Sequence, residues 1–289
     1  MSEQRTSVDM NYMAAEFADV YFIKLLFEEP IAIDAELVRK KLIETFHHLD
    51  TVMEDQGTYA YALLDHMVSY ANEEKMPAQV SIMEQIPFYR DTIQNELIMS
   101  QCWGLNEPQE LLERCQYEIM IHDFLAGGLE RVQRANLLAN FVDAMLSLYP
   151  QCIALYFPHA QKFISKEQFI HTGWNDEALH FLDGGLQIRF FHIQDTSDMV
   201  IDSVGLTALG LPDIQCHFHE LDPNAVVNFV ANLASYLFMS GDVIQDKETV
   251  EGFAGTNHKW VCQHEDALIM PKRIVLDIQM SEFASGNRN

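Results

Sequence analysis

The chain has 289 residues, 43 of them acidic and 18 basic, which gives a formal net charge of -25. A field this negative repels nucleic acid and anionic membrane surfaces, and it attracts cationic surfaces over a Debye length of roughly 8 Å at physiological salt. The 48% hydrophobic content is that of a folded protein, and the length suits one large domain or two moderate ones. We therefore expect no nucleic-acid and no membrane partner, and a basic or neutral protein as the natural partner.

The sequence also predicts a cytoplasmic protein. Met1–Arg5 lacks the charged and apolar regions of a secretory signal, and no apolar run reaches the ~20 residues that cross a bilayer. The five cysteines are widely separated and form no Cys-x-x-Cys pair. This pattern suits a reducing compartment, where a buried thiol acts as a small hydrophobe.

The chain begins with a polar segment, residues 1–17, which we interpret as a flexible lead-in. Val20–Phe27 is a continuous β-branched and aromatic run that predicts a buried strand. Asp34 then stands where the N-cap of a helix is expected. The apolar stripe of this helix is predicted to consist of Val38, Leu42 and Leu49.

Three further strands are predicted in the first half, at Tyr59–Leu64, Ala78–Met83 and Tyr117–His122. Helical stretches are predicted at about Tyr89–Trp103 and Pro108–Arg114. The resulting order, β-α-β-β-α-β, is the split βαβ arrangement of ferredoxin-like folds.

The second half predicts a similar mixture of helices and strands. A long helix is predicted from Glu130 to Tyr149, before a buried strand at Cys152–Phe157. Asp222 followed by Pro223 predicts the start of a second long helix, and Gly241 predicts its end. The remaining predicted strands are Leu186–Ile193, Met199–Val204, Ile214–His219, Trp260–His264 and Arg273–Ile278.

These elements predict an α+β fold made of two ferredoxin-like βα units packed together, with mixed or antiparallel sheets and helices on one face. Gly127-Gly128 supplies the best boundary, near residues 126–130. No Pro/Gly/Ser-rich linker marks it, which favours halves that pack together over freely jointed ones. The predicted units are residues 18–126 and 127–280, and residues 281–289 are expected to be a frayed tail.

One constellation predicts a metal site if two strands are neighbours. Residues two apart on a strand share a face, so His217 points with His219, and Cys262 points with His264. Adjacent in register, the four side chains would suit tetrahedral zinc. Nothing in the spacing requires the two strands to meet. The alternative, which we prefer, is that His217 and His219 occupy the solvent face of a half-buried strand whose inner face carries Cys216 and Phe218. No cofactor is then expected.

Other motifs for catalysis or phosphate binding are missing. The sequence lacks Gly-x-Ser-x-Gly, His-Glu-x-x-His, a phosphate loop and a dinucleotide fingerprint. Gly205–Gly210 has the glycines of a phosphate loop without its lysine, and a turn between strands explains it better. The acids that follow Gly241 fit no EF-hand spacing and are expected to be exposed loop residues. These acids are Asp242, Asp246, Glu248 and Glu251.

The last third resembles a bacterial family, domain of unknown function 4261. The resemblance covers residues 185–265 and rests on Thr207–Ile214, Asn232–Leu237, Gly241–Asp246 and Thr249–Gly252. Where the family pattern would place a glycine after Asp246, this chain has a lysine. The resemblance implies a fold and no catalytic residue, and the bacterial character of the family fits an accessory or immunity-type role.

Function is predicted from charge. The favoured hypothesis is a non-enzymatic interaction protein, an adaptor or immunity-type module, whose acidic face covers a basic partner. Its contact residues are predicted among the exposed acids Glu28, Glu73, Glu74, Asp242 and Glu251. Two alternatives stay open: a metal-assisted hydrolase that uses the His217, His219, Cys262 and His264 cluster, and a small-ligand module with a pocket between the halves.

Overall fold

The computed structural model describes residues 18–69, 75–171, 177–253 and 258–286. These residues form two compact units, one of residues 18–187 and one that contains residues 188–286. We call them the N-terminal and the C-terminal unit. The predicted lead-in, residues 1–17, lies outside the described residues.

The N-terminal unit contains eight strands and six α-helices among the described residues. In chain order they are β1 (Phe22–Phe27), α1 (Ala35–Phe46), β2 (Leu49–Asp55), β3 (Thr58–Ser69), β4 (Lys75–Met83), β5 (Ile86–Pro87), α2 (Glu96–Met99), α3 (Pro108–Arg114), β6 (Tyr117–Phe124), α4 (Arg131–Leu148), β7 (Cys152–Phe157), β8 (Lys162–Ser165), α5 (Lys166–Ile170) and α6 (Glu177–Gly185).

Local chemistry explains where α1 begins, but its predicted end is wrong. Asp34 accepts hydrogen bonds from the backbone N–H groups of Glu36 and Leu37, as an N-cap does. The helix ends at Phe46, where His47 adopts a φ of 64°. Leu49 lies outside the helix because the chain has already turned into β2, which pairs with β3.

The strands of this unit form one sheet in the order β2-β3-β4-β6-β1-β7-β8, with β5 beside β6. Its described pairings are antiparallel. Helices alternate with these antiparallel strands along the chain, which confirms the predicted α+β class, while the ferredoxin-like arrangement stays a prediction.

The division between the units also differs from the predicted boundary at 126. β1 pairs with β6 on one side and with β7 on the other, so that Leu25 lies opposite both Ile119 and Leu155. Because β7 and β8 complete this sheet, the N-terminal unit extends past Gly127-Gly128 to residue 187.

Helices cover both faces of this sheet, whereas one covered face was predicted. Leu26 of β1 packs in a buried cluster with Ile98 of α2 and Leu112 of α3. The next residue toward the N-terminus, Leu25, is buried on the opposite face by strand alternation. α1 and α6 contact strands of this sheet, and α4 contacts both of these helices.

The C-terminal sheet has the order β12-β13-β14-β11-β10-β9. Its strands and its long helix are β9 (Gln187–His192), β10 (Met199–Val204), β11 (Asp213–Phe218), α7 (Pro223–Ser240), β12 (Thr249–Glu251), β13 (Lys259–Asp266) and β14 (Ile274–Gln279). β11 and β14 are parallel, and β13 is antiparallel to β12 and β14. The sheet is therefore mixed, as predicted.

α7 begins and ends where its cap residues predict. Asp222 accepts a hydrogen bond from the Asn224 N–H at 3.1 Å, Pro223 occupies the first turn, and Gly241 ends the helix with a φ of 91°. The helix packs on β10 and β11. Its buried side chains are Val226, Val230, Leu233, Ala234, Leu237 and Phe238.

The expected frayed tail is attached to β11 as far as residue 285. The N–H of Ser285 donates to the carbonyl of His217 at 3.0 Å, and the N–H of His219 donates to the carbonyl of Phe283 at 2.9 Å. Ala284 forms a β-bridge with Phe218. These backbone hydrogen bonds were invisible in the polar composition of the segment.

Candidate functional site

A buried ion-pair network lies within the C-terminal unit. Asp202 on β10 accepts two hydrogen bonds from Arg189, at 2.8 and 2.6 Å, and one from Arg273 at 2.7 Å. Arg189 also donates to the carbonyl of Met270, and Arg273 donates to the carbonyl of Pro271. The two arginines thereby attach the loop between β13 and β14 to the sheet, a role in folding.

The loop that has the glycines of a phosphate loop surrounds a carboxylate of this chain. Asp213 accepts hydrogen bonds from the Ser203 and Thr207 hydroxyls, both at 2.8 Å, and from the Leu206 N–H at 3.1 Å. Burial raises the pKa of Asp213, while Arg273 and these donors lower it. The carboxyl group of Asp213 therefore fills the interior of this loop, which agrees with the predicted turn between strands.

The four residues of the predicted zinc cluster are not on neighbouring strands. His217 belongs to β11 and His264 to β13, and β14 lies between these strands. His219 contacts the Ser285 hydroxyl at 3.0 Å instead, and Cys262 is fully buried. Within the described ranges, no group of three or more His, Cys, Asp or Glu side chains is placed to hold a metal ion.

Four of the five cysteines are poor nucleophiles. Burial raises the pKa of Cys102 and Cys262 to about 11 and that of Cys115 and Cys152 to about 12. Because the thiolate is the reactive form, these side chains act as small hydrophobes, as the sequence predicted for buried thiols.

An open groove of about 600 Å³ lies between α7 and β12. Leu233 and Ile244 lie deep in it, each 8% exposed, whereas Tyr236 and Val243 are 50% and 47% exposed. The lining residues are Leu233, Tyr236, Val243, Ile244, Lys247, Glu248, Thr249, Val250 and Glu251. We call this feature the α7–β12 groove.

A histidine connects β13 to the loop that lines the groove. Nδ1 of His264 lies 2.8 Å from Oδ1 of Asp246, and Nε2 lies 3.2 Å from Oδ1 of Asp242. The hydrogen bond to Asp242 raises the pKa of His264, burial opposes it, and the bond to Asp246 raises it further. With an acceptor at each ring nitrogen the imidazolium is favoured, since both of its nitrogens donate.

Lys247 occupies a position that favours glycine. Its φ is 70°, in the left-handed region that is costly for residues with a Cβ atom. Lys247, which stands where the family pattern has glycine, therefore keeps the left-handed backbone conformation that a glycine adopts at this turn.

The predicted acidic contact residues divide into three groups. Glu251 lines the groove, and Asp242 precedes the lining residue Val243. Glu28 lies in the N-terminal unit and pairs with Arg114 at 2.9 Å, a hydrogen bond that lowers its pKa. The third group, Glu73 and Glu74, lies outside the described residues.

Sequence reasoning missed a titratable cluster in the N-terminal unit. Nε2 of His180 lies 3.5 Å from Asp143, and Nδ1 lies 3.6 Å from Asp183. Hydrogen bonding to Asp143, then to Asp183, raises the pKa of His180 to about 9 despite burial. The spacing of His180 and Asp183 was a signal within α6, but the contribution of Asp143 from α4 required the fold.

Comparison with known proteins identifies one region of the chain. Residues 202–279 match the model of a family described as Domain of unknown function (DUF4261). The match confirms the resemblance drawn from Thr207–Ile214 and the motifs that follow it. The DUF4261 region runs from Asp202 to the end of β14 and includes the whole α7–β12 groove. No curated protein and no solved structure matched the chain.

No helix among the described residues is both long enough and apolar enough to cross a membrane.

Proposed function

We propose that the protein is a non-enzymatic interaction module, of adaptor or immunity type, that binds a basic protein partner at the α7–β12 groove. The observation that carries the proposal is the composition of this groove, which combines an apolar floor with an acidic rim. Leu233 and Ile244 offer buried apolar surface, and Glu248 and Glu251 bring two carboxylates against the single ammonium of Lys247.

The charge of the C-terminal unit supports a basic partner. Residues 188–289 contain 14 acidic and six basic side chains. Two of the basic ones, Arg189 and Arg273, are buried in ion pairs with Asp202. A surface with this imbalance accelerates encounter with a cationic protein and disfavours acidic competitors.

The chemistry of the described side chains also favours binding over turnover. The zinc cluster on which the hydrolase hypothesis depended is divided by β14, and burial raises the pKa of the Cys102 and Cys262 thiols to about 11, which disfavours their thiolate forms. The carboxyl group of Asp213 is buried within its own loop, where the hydroxyls of Ser203 and Thr207 donate to it.

A small-ligand module is the second candidate, and the observation in its favour is the groove volume. About 600 Å³ falls within the usual range of ligand pockets, which is roughly 300–1,000 Å³. Such pockets enclose most of their ligand, whereas this groove is open and half-exposes Tyr236 and Val243. An open groove with a charged rim suits a chain segment better.

The test combines cross-linking with charge variants. The full chain is used to capture partners from the native host at low and at high salt, and cross-linked residues are located by mass spectrometry. We expect a basic partner that is lost at high salt and that cross-links next to the groove. The double variant Glu248→Gln/Glu251→Gln should weaken its capture roughly tenfold, since partly screened charge pairs each contribute up to about 1 kcal/mol.

The matched control is Glu110→Gln/Glu113→Gln, which removes the same charge from α3 of the N-terminal unit. It should leave capture unchanged. A partner that is insensitive to salt, or one affected equally by the two double variants, would contradict the proposal.

A further inference from the structure

β12 is an edge strand whose backbone groups point alternately toward β13 and away from it. The Cys262 N–H donates to the carbonyl of Glu248 at 2.8 Å, and the Gly252 N–H donates to the carbonyl of His258 at 2.9 Å. Val250 lies opposite Trp260, between these two points. In an antiparallel ladder, residues 248, 250 and 252 therefore use their backbone groups on β13.

Thr249 and Glu251 consequently direct their N–H and C=O groups to the outer side of β12. Both residues are exposed, and β12 ends the strand order of its sheet within the described part of the chain. Such an edge is a template onto which another extended chain can pair.

The α7–β12 groove lies along this strand and can receive side chains from an added one. Trp260, which lies opposite Val250, contacts Phe229 of α7 with ring centroids 5.1 Å apart. The face of β12 that carries Val250 is therefore the face toward α7. Alternate side chains of an added strand would project to the same side, where Leu233 and Ile244 form an apolar floor.

The charges near this edge select the occupant. A second copy of the chain would bring Glu248 and Glu251 against like carboxylates, which is destabilising across a strand pair. A segment that carries lysine or arginine would instead meet opposite charge. Apolar side chains at its alternate positions would enter the groove.

From this geometry we infer that β12 binds an extended segment of the partner as an added β-strand, with basic and apolar residues alternating along it. The inference rests on the proposed function and specifies how the partner is held. Backbone hydrogen bonds to Thr249 and Glu251 supply affinity, and the groove selects apolar side chains on one face.

The first test changes the protein. The probe is the fluorescently labelled peptide Arg-Val-Arg-Val-Arg-Val-Arg, and its binding to the full chain is measured by fluorescence anisotropy. Thr249→Pro removes an outward N–H while the ladder to β13 keeps its donors, as edge prolines do. We expect it to weaken binding about tenfold, because a hydrogen-bond donor is lost and the edge is reshaped.

The matched control is Thr249→Val, which removes the hydroxyl and keeps the N–H. It should bind the peptide as the wild type does. Circular dichroism verifies that both variants fold.

A second test changes the peptide and does not depend on the folding of any variant. Two versions carry N-methyl groups, one at the three valines and the other at the four arginines. In an added strand, only every second N–H group faces β12. The register is fixed because a shift by one residue would place arginine in the apolar groove, so either the valine or the arginine N–H groups face β12, but not both. We expect the two methylated peptides to differ in affinity by at least about tenfold.

The outcomes separate this inference from the proposed function. Equal affinity of the methylated peptides, full binding by Thr249→Pro, or no binding of the unmodified peptide overturns strand addition. A salt-sensitive partner that requires Glu248 and Glu251 but tolerates Thr249→Pro would leave the proposed function intact. If the wild-type chain captures no salt-sensitive partner in the earlier test, the proposed function and strand addition are both overturned.

Discussion

At the scale of single residues, the ionised side chains of the C-terminal unit serve different purposes according to burial. Asp202 is fully buried, and the guanidinium groups of Arg189 and Arg273 compensate its charge. His264 is nearly buried between carboxylates that are each more than a third exposed, so its charge depends on pH. The first arrangement attaches the β13–β14 loop to the sheet, and the second attaches the loop that lines the groove to β13.

Removal of the Asp202 charge should destabilise the protein strongly. In Asp202→Asn, both Arg189 and Arg273 stay buried without their shared carboxylate, which costs about 3–5 kcal/mol in free energy of unfolding. Urea unfolding measures this loss. The exposed Asp266→Asn is the control and should change the free energy by less than about 0.5 kcal/mol. A loss below about 1 kcal/mol for Asp202→Asn would show that the network is dispensable.

The contribution of His264 to stability should decline at high pH. Its pKa in the folded state is raised above the ordinary value of about 6.5, so the imidazolium stabilises the fold fully below that pH. This stabilisation is lost as the pH rises through the folded-state pKa. We expect wild type to exceed His264→Gln by roughly 1 kcal/mol near pH 6 and by less near pH 9.

A direct measurement of the titration provides the control. The His264 ring, followed by NMR, should titrate above its ordinary pKa, and Asp242→Asn should lower that pKa by removing the principal hydrogen-bond acceptor. A His264 ring that titrates at or below about 6.5 in the wild type would contradict the arrangement.

At the scale of secondary-structure elements, the sequence predicted the cap residues well and the short strands poorly. Asp34, Asp222 and Gly241 act within a few residues of themselves, so their roles are visible in the sequence. β2 and β12 were missed, because most of their side chains are exposed and their stability comes from the adjacent strand. The groove was missed along with β12, although an aromatic residue outside the apolar face of α7, Tyr236, was a signal.

The position of β12 depends on close contact between Gly252 and the Trp260 ring. A Cβ atom added at Gly252 would lie 2.8 Å from Cε2 of Trp260, a side chain that is only 1% exposed. We expect Gly252→Ala to cost about 1–3 kcal/mol in free energy of unfolding, as overpacking does, and to weaken binding at the groove.

Gly127→Ala is the matched control for this substitution. A Cβ atom at Gly127 meets nothing within 4 Å, so unfolding should change by less than about 0.5 kcal/mol. Equal stabilities of the two variants, measured by urea unfolding, would mean that β12 adjusts to the added methyl group without cost.

At the scale of the whole molecule, the surplus of carboxylates repels itself in the folded state. With a net charge of -25, screening by salt should stabilise the compact form. We expect sodium chloride to raise the midpoint of each thermal unfolding transition by roughly 2–4 °C, which corresponds to about 1 kcal/mol. Calorimetry across a chloride series measures this shift, and a fall of the midpoints with added chloride would count against it.

The sequence by itself determined the acidity, the α+β class, the ends of α7 and the resemblance of the last third to DUF4261, which residues 202–279 match. These properties arise from composition and from interactions between residues close in the chain. Only the tertiary structure decided that β14 separates His217 from His264, that β7 belongs with β1, and that α7 and β12 form a groove. The physical reason is that strand order depends on hydrogen bonds and packing between distant segments, which no local pattern specifies.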